Sequence, residues 1–109
     1  MAMQQRQVQT LARVFRVLGD ATRLRILLML KKRESNVTDL CKALSVSQPT
    51  VSHHLGILRM NSVVNGRRDG KEIYYSICDS NKSNSAKALR GLLNGSSAIK
   101  LGPVVLARA

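Results

Sequence analysis

Apolar residues recur at helical spacing through the first half of the chain. An α-helix has 3.6 residues per turn, so positions i, i+3, i+4 and i+7 share one face. Capping residues mark where helices begin. Asp20 suits the N-cap of the second helix. Ser47 suits the N-cap of the fourth helix, and Pro49 lies in the first turn of that helix. The pattern therefore predicts four helices, over residues 4–18, 21–33, 38–44 and 47–59.

The first two helices are predicted to supply much of the core. The apolar face of the first helix consists of Val8, Leu11, Ala12, Phe15 and Leu18. The second helix carries too many apolar residues for one narrow stripe, which indicates a central position in the core. These residues are Leu24, Ile26, Leu27, Leu28 and Leu30.

The spacing changes after the fourth helix and becomes that of a β-hairpin. The apolar positions of this stretch are Val63, Val64, Ile73, Tyr75 and Ile77, the last three at alternate positions. Asp69 and Gly70 both tolerate positive φ, so they are predicted to form the turn. Further along, residues 82–94 have the spacing of a last helix, with Ala86, Leu89, Leu92 and Leu93 on one face.

These elements define a fold that is mainly α with a small β-hairpin. Two short helices joined by a tight turn form a helix-turn-helix, and the hairpin that follows is a wing. We therefore predict a winged helix-turn-helix in the order α-α-α-α-β-β-α, as a single domain over residues 1–95. The tail, residues 96–109, has no clear period. Two alternatives stay open for it: disorder, or packing of its apolar residues against a partner chain.

The fourth helix has the character of a recognition helix. Val51, Leu55 and Leu58 share its buried face, because they lie at i, i+4 and i+7. The exposed residues are small or hydrogen-bonding, and none is acidic: Gln48, Ser52, His53 and Gly56. Such a face suits the major groove of DNA, where base edges offer donors and acceptors and phosphates repel carboxylates. The alternative is an ordinary polar surface helix.

The charge balance points to a polyanionic partner. The chain has 109 residues with 18 Lys and Arg against 6 Asp and Glu, a net charge of +12. Neutralising phosphates releases counterions, so this excess favours nucleic acid. An anionic membrane is disfavoured because no basic amphipathic segment carries bulky aromatics, and three aromatic residues are few for a binder of single strands. No signal peptide or transmembrane run is apparent, so a cytoplasmic location is expected.

The two cysteines, Cys41 and Cys78, do not make a disulfide scaffold. One interpretation is that both are small hydrophobic residues that pack in or near the core. The other is a thiol switch, which needs an accessible thiol with a lowered pKa. Lys42 beside Cys41 is the only sequence feature in favour of the switch.

Three segments together resemble the ArsR/SmtB family of bacterial winged-helix repressors. They are LGDATRLRILLML, VTDLCKALSVSQPTVSHHLGILR and VNGRRDGKEIYYSI, and the resemblance runs from about Leu11 to Asp79. It implies a homodimer formed through the first and last helices, which binds an inverted-repeat DNA operator and releases it when an inducer binds. It also implies that Gln48, Ser52 and His53 contact bases or adjacent phosphates.

The metal sites of the resembled family are not matched. Where one family site has a Cys-x-Cys pair, this chain has Asn36 and Thr38, and only Cys41 of that trio remains. At the second site Asp79 survives, but the other positions hold Asn81, Leu92 and Gly95. Adjacent histidines, His53 and His54, diverge by about 100° on a helix and cannot chelate one metal. We therefore expect no metal site and no cofactor.

The sequence predicts a homodimeric, sequence-specific repressor of double-stranded DNA. Its predicted contacts on the recognition helix are Ser47, Gln48, Pro49, Thr50, Ser52, His53 and Arg59, and those on the wing are Arg67, Arg68 and Lys71. The alternatives are a small basic RNA-binding structural protein and a winged helix that docks proteins. RNA has a deep, narrow major groove that does not admit such a helix. No catalytic constellation can be assembled, so an enzyme is not expected.

Overall fold

The computed structural model describes residues 4–79, 98–101 and 104–107. Its helices are α1 (Gln5–Leu18), α2 (Ala21–Lys32), α3 (Val37–Leu44) and α4 (Gln48–Met60). Strands β1 (Val64–Asp69) and β2 (Glu72–Ile77) form an antiparallel pair. The prediction of four helices followed by a hairpin is confirmed. None of the described helices has the length and apolar character needed to cross a bilayer.

The core lies between α2, α3, α4 and the inner end of the hairpin. The buried face of α4 is the predicted one, since Val51, Leu55 and Leu58 are at most 1% exposed. Helix α2 contributes Ile26, Leu27 and Leu30, and α3 contributes Leu40 and Leu44. Val63, which precedes β1, and Val64, its first residue, complete the centre of this core.

The predicted apolar faces of α1 and α2 are partly wrong for the single chain. Val8 and Phe15 of α1 are each 50% exposed, and Ala12 is exposed as well. The side of α1 that meets the core carries Leu11, Val14, Val17 and Leu18. In α2, Leu24 and Leu28 are 37% and 51% exposed. The cause is that two apolar stripes run side by side on each helix, and spacing cannot show which of them meets the core.

The turn of the helix-turn-helix is closed by backbone geometry. Asn36 is the N-cap of α3, because its Oδ1 accepts a hydrogen bond of 2.8 Å from the Asp39 backbone N–H. Ser45 ends α3 in the left-handed region, at φ 55° and ψ 45°. The backbone N–H groups of Ser45 and Val46 both donate to the Cys41 carbonyl. This conformation reverses the chain direction within a few residues and starts α4.

The wing turns one residue later than predicted. Asp69 belongs to β1 and lies opposite Glu72 of β2, so Gly70 and Lys71 form the two-residue loop. Gly70 has φ 65°, and neither Asp69 nor Lys71 has positive φ. A positive φ at the first central residue alone is typical of a type II′ turn, which requires glycine there.

A backbone bridge attaches the wing to the helices. Ser35, in the connection between α2 and α3, is completely buried and pairs with Tyr75 of β2. The Ser35 N–H donates to the Tyr75 carbonyl at 3.1 Å, and the Tyr75 N–H donates back at 2.9 Å. The connection therefore acts as a short third strand and fixes the base of the wing.

The C-terminal tail contains regular structure that the sequence pattern did not reveal. Strands β3 (Ala98–Leu101) and β4 (Val104–Ala107) pair antiparallel, with Leu101 opposite Val104. The two alternatives for residues 96–109, disorder and packing against a partner chain, stay predictions. The last helix predicted over 82–94 lies outside the described residues.

The left-handed Ser45 provides a test of the turn. A β-branched residue in this conformation is strained, so Ser45→Val should lower the free energy of unfolding by about 1–3 kcal/mol. Ser45→Gly should leave it unchanged or raise it by up to about 1 kcal/mol, because glycine adopts this conformation without strain. Urea unfolding of both variants measures the difference. Equal stability of the Val and Gly variants would contradict the assigned geometry.

Candidate nucleic-acid interface

The outward face of α4 is polar, uncharged and open to solvent. The exposed residues on it and before it include the predicted contacts Ser47, Gln48, Pro49, Thr50, Ser52 and His53. Ser47 is the N-cap, but its Oγ lies 2.9 Å from Thr50 Oγ1 and makes no hydrogen bond to the backbone. No side chain therefore caps the positive end of the helix dipole. An anion such as a phosphate is favoured at such an end.

His54 faces inward, unlike its neighbour His53. Its side chain is 13% exposed, and its Nδ1 lies 3.2 Å from Arg23 Nη1. A guanidinium has only donors, so Nδ1 accepts this hydrogen bond when the imidazole is neutral. The same nitrogen lies 3.9 Å from Asp20 Oδ1, so the protonated imidazole forms an ion pair with that carboxylate instead. His54 thus connects the recognition helix to the start of α2, a role that the spacing of residues along the sequence did not predict.

Arg23 connects three helices through one side chain. Its Nε donates to the Val17 carbonyl at 2.7 Å, and its Nη2 donates to the Arg16 carbonyl at 3.2 Å. These carbonyls end α1, so the guanidinium neutralises the negative end of that helix. Arg25 acts in the same way on α3, because its Nη2 donates to the Leu44 carbonyl at 2.9 Å. Sequence reasoning missed both roles, since no local pattern marks the distant carbonyl partner.

The wing residue Arg67 is bound to an acidic residue of the helical part. Its Nη2 and Nε lie 2.9 and 3.3 Å from the two carboxylate oxygens of Glu34. This hydrogen bond, more than the opposite charge, lowers the pKa of Glu34 and raises that of Arg67. The Arg67 guanidinium also lies 5.4 Å from the centre of the Tyr74 ring. Arg67 therefore helps to position the wing.

The other basic residues of the wing are more available. Arg68 and Lys71 are exposed and, within residues 4–79, neither forms an ion pair. Arg59, at the end of α4, reaches the base of the wing. A Cβ on Gly66 would lie 3.4 Å from Arg59 Nη1 and 3.0 Å from Ile73 Cγ2, so only glycine leaves these contacts undisturbed. Gly66 thus allows the recognition helix and the wing to approach closely.

The two cysteines, and the positions where the resembled family has metal ligands, form no metal site among the described residues. The two cysteines are not joined in a disulfide: Cys41 is half-buried and Cys78 is 3% exposed. Asn36, where the resembled family has a thiolate, caps α3. In the part of the chain that the structure describes, no three His, Cys, Asp or Glu side chains are grouped so that they could hold a metal ion. The thiol switch stays a prediction.

The helix-turn-helix with an attached wing defines the chain as a winged-helix protein. Residues 20–65 match the arsR family of bacterial regulatory proteins. The transcriptional repressor SdpR of Bacillus subtilis is 39% identical over 64 residues, which are 59% of this chain and 71% of SdpR. The chain belongs to the ArsR family, and the resemblance inferred from the sequence is confirmed.

Two further proteins show how far the similarity of this chain to known proteins extends. The SmtB homolog of Synechocystis, named a transcriptional repressor, is 42% identical over 78 residues, 72% of this chain. The match spans only 59% of that relative's length. The homodimeric winged helix-turn-helix DNA-binding domain Mb0332 of Mycobacterium bovis superimposes with a TM-score of 0.68 at 28% identity. That alignment covers 86% of this chain and 84% of the other. The predicted fold class is confirmed.

The Asp20 cap should make stability depend on pH. The pKa of Asp20 is lowered, first by the hydrogen bond from the Arg23 backbone N–H and then by the nearby His54 and Arg23. Its stabilising effect is therefore complete above the pKa of the unfolded chain, about 3.9, and is lost as pH falls through the lower folded-state pKa.

Asp20→Ala should lower the free energy of unfolding by about 1 kcal/mol near pH 7. The control is Asp20→Asn, which keeps a capping oxygen without the charge, and its deficit should shrink as pH falls from the unfolded-state pKa through the lower folded-state pKa of Asp20. Chemical denaturation near pH 7 and across this acidic range measures these differences. A deficit that does not change with pH would show that the Asp20 charge does not contribute.

Proposed function

We propose that this chain is a homodimeric transcriptional repressor that binds double-stranded DNA in a sequence-specific way. The observation that carries the proposal is the two-sided character of α4, with one face completely buried and the other polar and free of acidic residues. A rigid helix held in this way can enter the major groove and present donors and acceptors to base edges. The names of SdpR and of the SmtB homolog as transcriptional repressors support the same conclusion.

In this proposal the recognition helix and the wing make different kinds of contact with DNA. Gln48, Ser52 and His53 read bases or adjacent phosphates, and the uncapped start of α4, from Ser47 to Thr50, receives a phosphate. Arg68 and Lys71 hold phosphate or minor groove beside the recognition helix. Arg67 adds to this contact with the guanidinium donors that Glu34 leaves free, and Arg59 does so from the end of α4.

A second copy of the chain would cover the apolar residues that the first two helices leave exposed. Val8 and Phe15 lie seven residues apart on α1, and Leu24 and Leu28 lie four apart on α2, so each pair shares a helix face. Apolar pairs of this kind mark protein interfaces. The homodimeric state of Mb0332 supports a dimer here. We propose that α1 takes part in the interface together with the last helix predicted over 82–94.

A dimer requires an operator with matching symmetry. Two recognition helices related by a two-fold axis read an inverted repeat whose half-sites lie about one helical turn, or 34 Å, apart. Release by an inducer stays part of the proposal. The available soft ligands are the thiols of Cys41 and Cys78, so an oxidant or persulfide is a more suitable signal than zinc or arsenite.

The dimer can be tested by sedimentation of the free protein. The wild type should sediment at about twice the chain mass of 12.0 kDa. Phe15→Glu should shift it toward the monomer, because burying a carboxylate in an apolar interface is costly. Met60→Glu is the matched control, since Met60 is 85% exposed at the end of α4 and should not affect the dimer. A wild-type monomer that binds one half-site as tightly as a full site would contradict the proposal.

The division between helix and wing can be tested by the salt and sequence dependence of DNA binding. Arg68→Ala and Lys71→Ala should weaken binding to specific and random duplexes alike, and should reduce the salt slope by about one per lost phosphate contact. Gln48→Ala should instead reduce the preference at particular base pairs, by roughly 1–3 kcal/mol.

The operator needed for this test is obtained by selecting bound sequences from a random DNA pool. Lys42→Ala serves as a control for the loss of one exposed positive charge outside α4 and the wing. Losses that are equal on all sequences for the helix and wing variants would contradict the assigned roles. A wild-type protein that selects no sequence would contradict the proposed function as a whole.

A further inference from the structure

A cleft beside the recognition helix carries an unusual concentration of positive charge. It has a volume of about 390 Å³ and lies between α1, the start of α2 and the C-terminal part of α4. Its lining residues are Arg13, Arg16, Val17, Arg23, Ile57 and Asn61. Three of the six are arginines and none is acidic. Asp20, the nearest carboxylate in sequence to Arg23, does not line the cleft.

Arg23 is held in place and still has donors to offer. A guanidinium has five N–H groups, and Arg23 uses three of them on Val17, Arg16 and His54. Two N–H groups therefore remain for another acceptor. Because three contacts fix this side chain, little conformational entropy would be lost when a ligand binds it.

Arg13 and Arg16 have no acidic partner within residues 4–79. Both lie on α1, three residues apart, so their side chains project from the same side of the helix. Three guanidinium groups around one cleft repel one another, and this repulsion is unfavourable in the empty state. An anion bound between them would remove the repulsion and accept charge-assisted hydrogen bonds, which are the stronger kind.

The cleft lies beside one end of the face that we assign to DNA. Ile57 follows Gln48 by nine residues, which places it about 180° around α4 and about 13 Å further along the axis, but it follows His53 by a single helical turn. A phosphate next to bases read by Gln48 is therefore remote from the cleft, and a phosphate next to His53 is the competing occupant that the DNA-binding test below distinguishes. The volume is near the lower end of the range for small-molecule sites, about 300–1,000 Å³.

We propose that this cleft binds a compact, phosphate-bearing small molecule through Arg13, Arg16 and Arg23. Planar guanidinium groups match phosphate oxygens in a bidentate way, which favours phosphate over a monovalent ion such as chloride. The occupant would also contact α4 directly through Ile57 and Asn61, and indirectly through the hydrogen bond between Arg23 and His54. Its binding would therefore change how firmly α4 is held, a consequence for DNA affinity that rests on the proposed function.

Pyrophosphate is a suitable probe of the site. Isothermal titration at constant ionic strength should give saturable binding of one pyrophosphate per chain. The double variant Arg13→Gln with Arg16→Gln should lose affinity by about tenfold or more, because hydrogen bonds to charged groups are lost. The control is Arg6→Gln with Arg33→Gln, which removes the same charge from exposed positions outside the cleft and should bind within about twofold of the wild type.

Equal losses in the two double variants, or no saturable binding by the wild type, would overturn the proposal. Glutamine is a good helix former, so melting temperatures close to that of the wild type are expected for both variants. This measurement contains no DNA, and it therefore stands even if the chain proves not to bind an operator.

DNA binding without pyrophosphate distinguishes a free ligand from a DNA phosphate. If the cleft takes a free anion, the two double variants should lose duplex affinity equally, within about twofold. A loss about tenfold larger for the cleft variant would mean that Arg13 and Arg16 hold the DNA backbone, and the proposal would then be wrong. With DNA bound, pyrophosphate should change the affinity of the wild type more than that of the cleft variant.

Discussion

The packing of one face of α4 against α2 and α3 determines which of its side chains are left for a partner. Val51, Leu55 and Leu58 are at most 1% exposed. Truncating a leucine in such a position costs about 2–5 kcal/mol, against a total stability of about 5–15 kcal/mol for a domain of ordinary size. The orientation of α4 is therefore strongly determined. The polar residues opposite these three are exposed as a direct consequence.

Polar contacts between elements, in addition to this apolar packing, fix the positions of the elements relative to one another. Arg23 and Arg25, both near the start of α2, each donate to carbonyls at the end of another helix. Positive charge at the start of a helix interacts unfavourably with the dipole of that helix. These contacts offset that cost, because they satisfy carbonyls that would otherwise lack partners. Ser35 has a similar effect on the wing through its two backbone hydrogen bonds with Tyr75. The recognition helix and the wing are thus both fixed to α2 and its flanking connection.

The sequence predicted the features that are periodic and local. Helical spacing identified the buried face of α4, and the family motifs identified the winged fold. What it could not predict depends on contacts across long stretches of chain. The Ser35 to Tyr75 bridge joins residues forty positions apart, and the contact between Arg23 and His54 joins residues 31 positions apart. Val8 and Phe15 match a core stripe in spacing, but the core of the single chain does not reach them.

The distribution of charge is informative about function, because the acidic residues lie where they cap a helix or pair with a basic side chain. Asp20 caps α2, Glu34 holds Arg67, and Asp39 lies in the first turn of α3. At the tip of the wing, Asp69 lies opposite Glu72, a like-charge pair that nearby positive charge offsets. No acidic residue occurs in α4 or lines the arginine cleft. Among the surfaces that we assign to anionic partners, the cleft is lined by Arg13, Arg16 and Arg23, and the wing carries Arg67, Arg68 and Lys71. If the excess of positive charge served solubility alone, acidic residues in α4 and in the cleft would be equally acceptable.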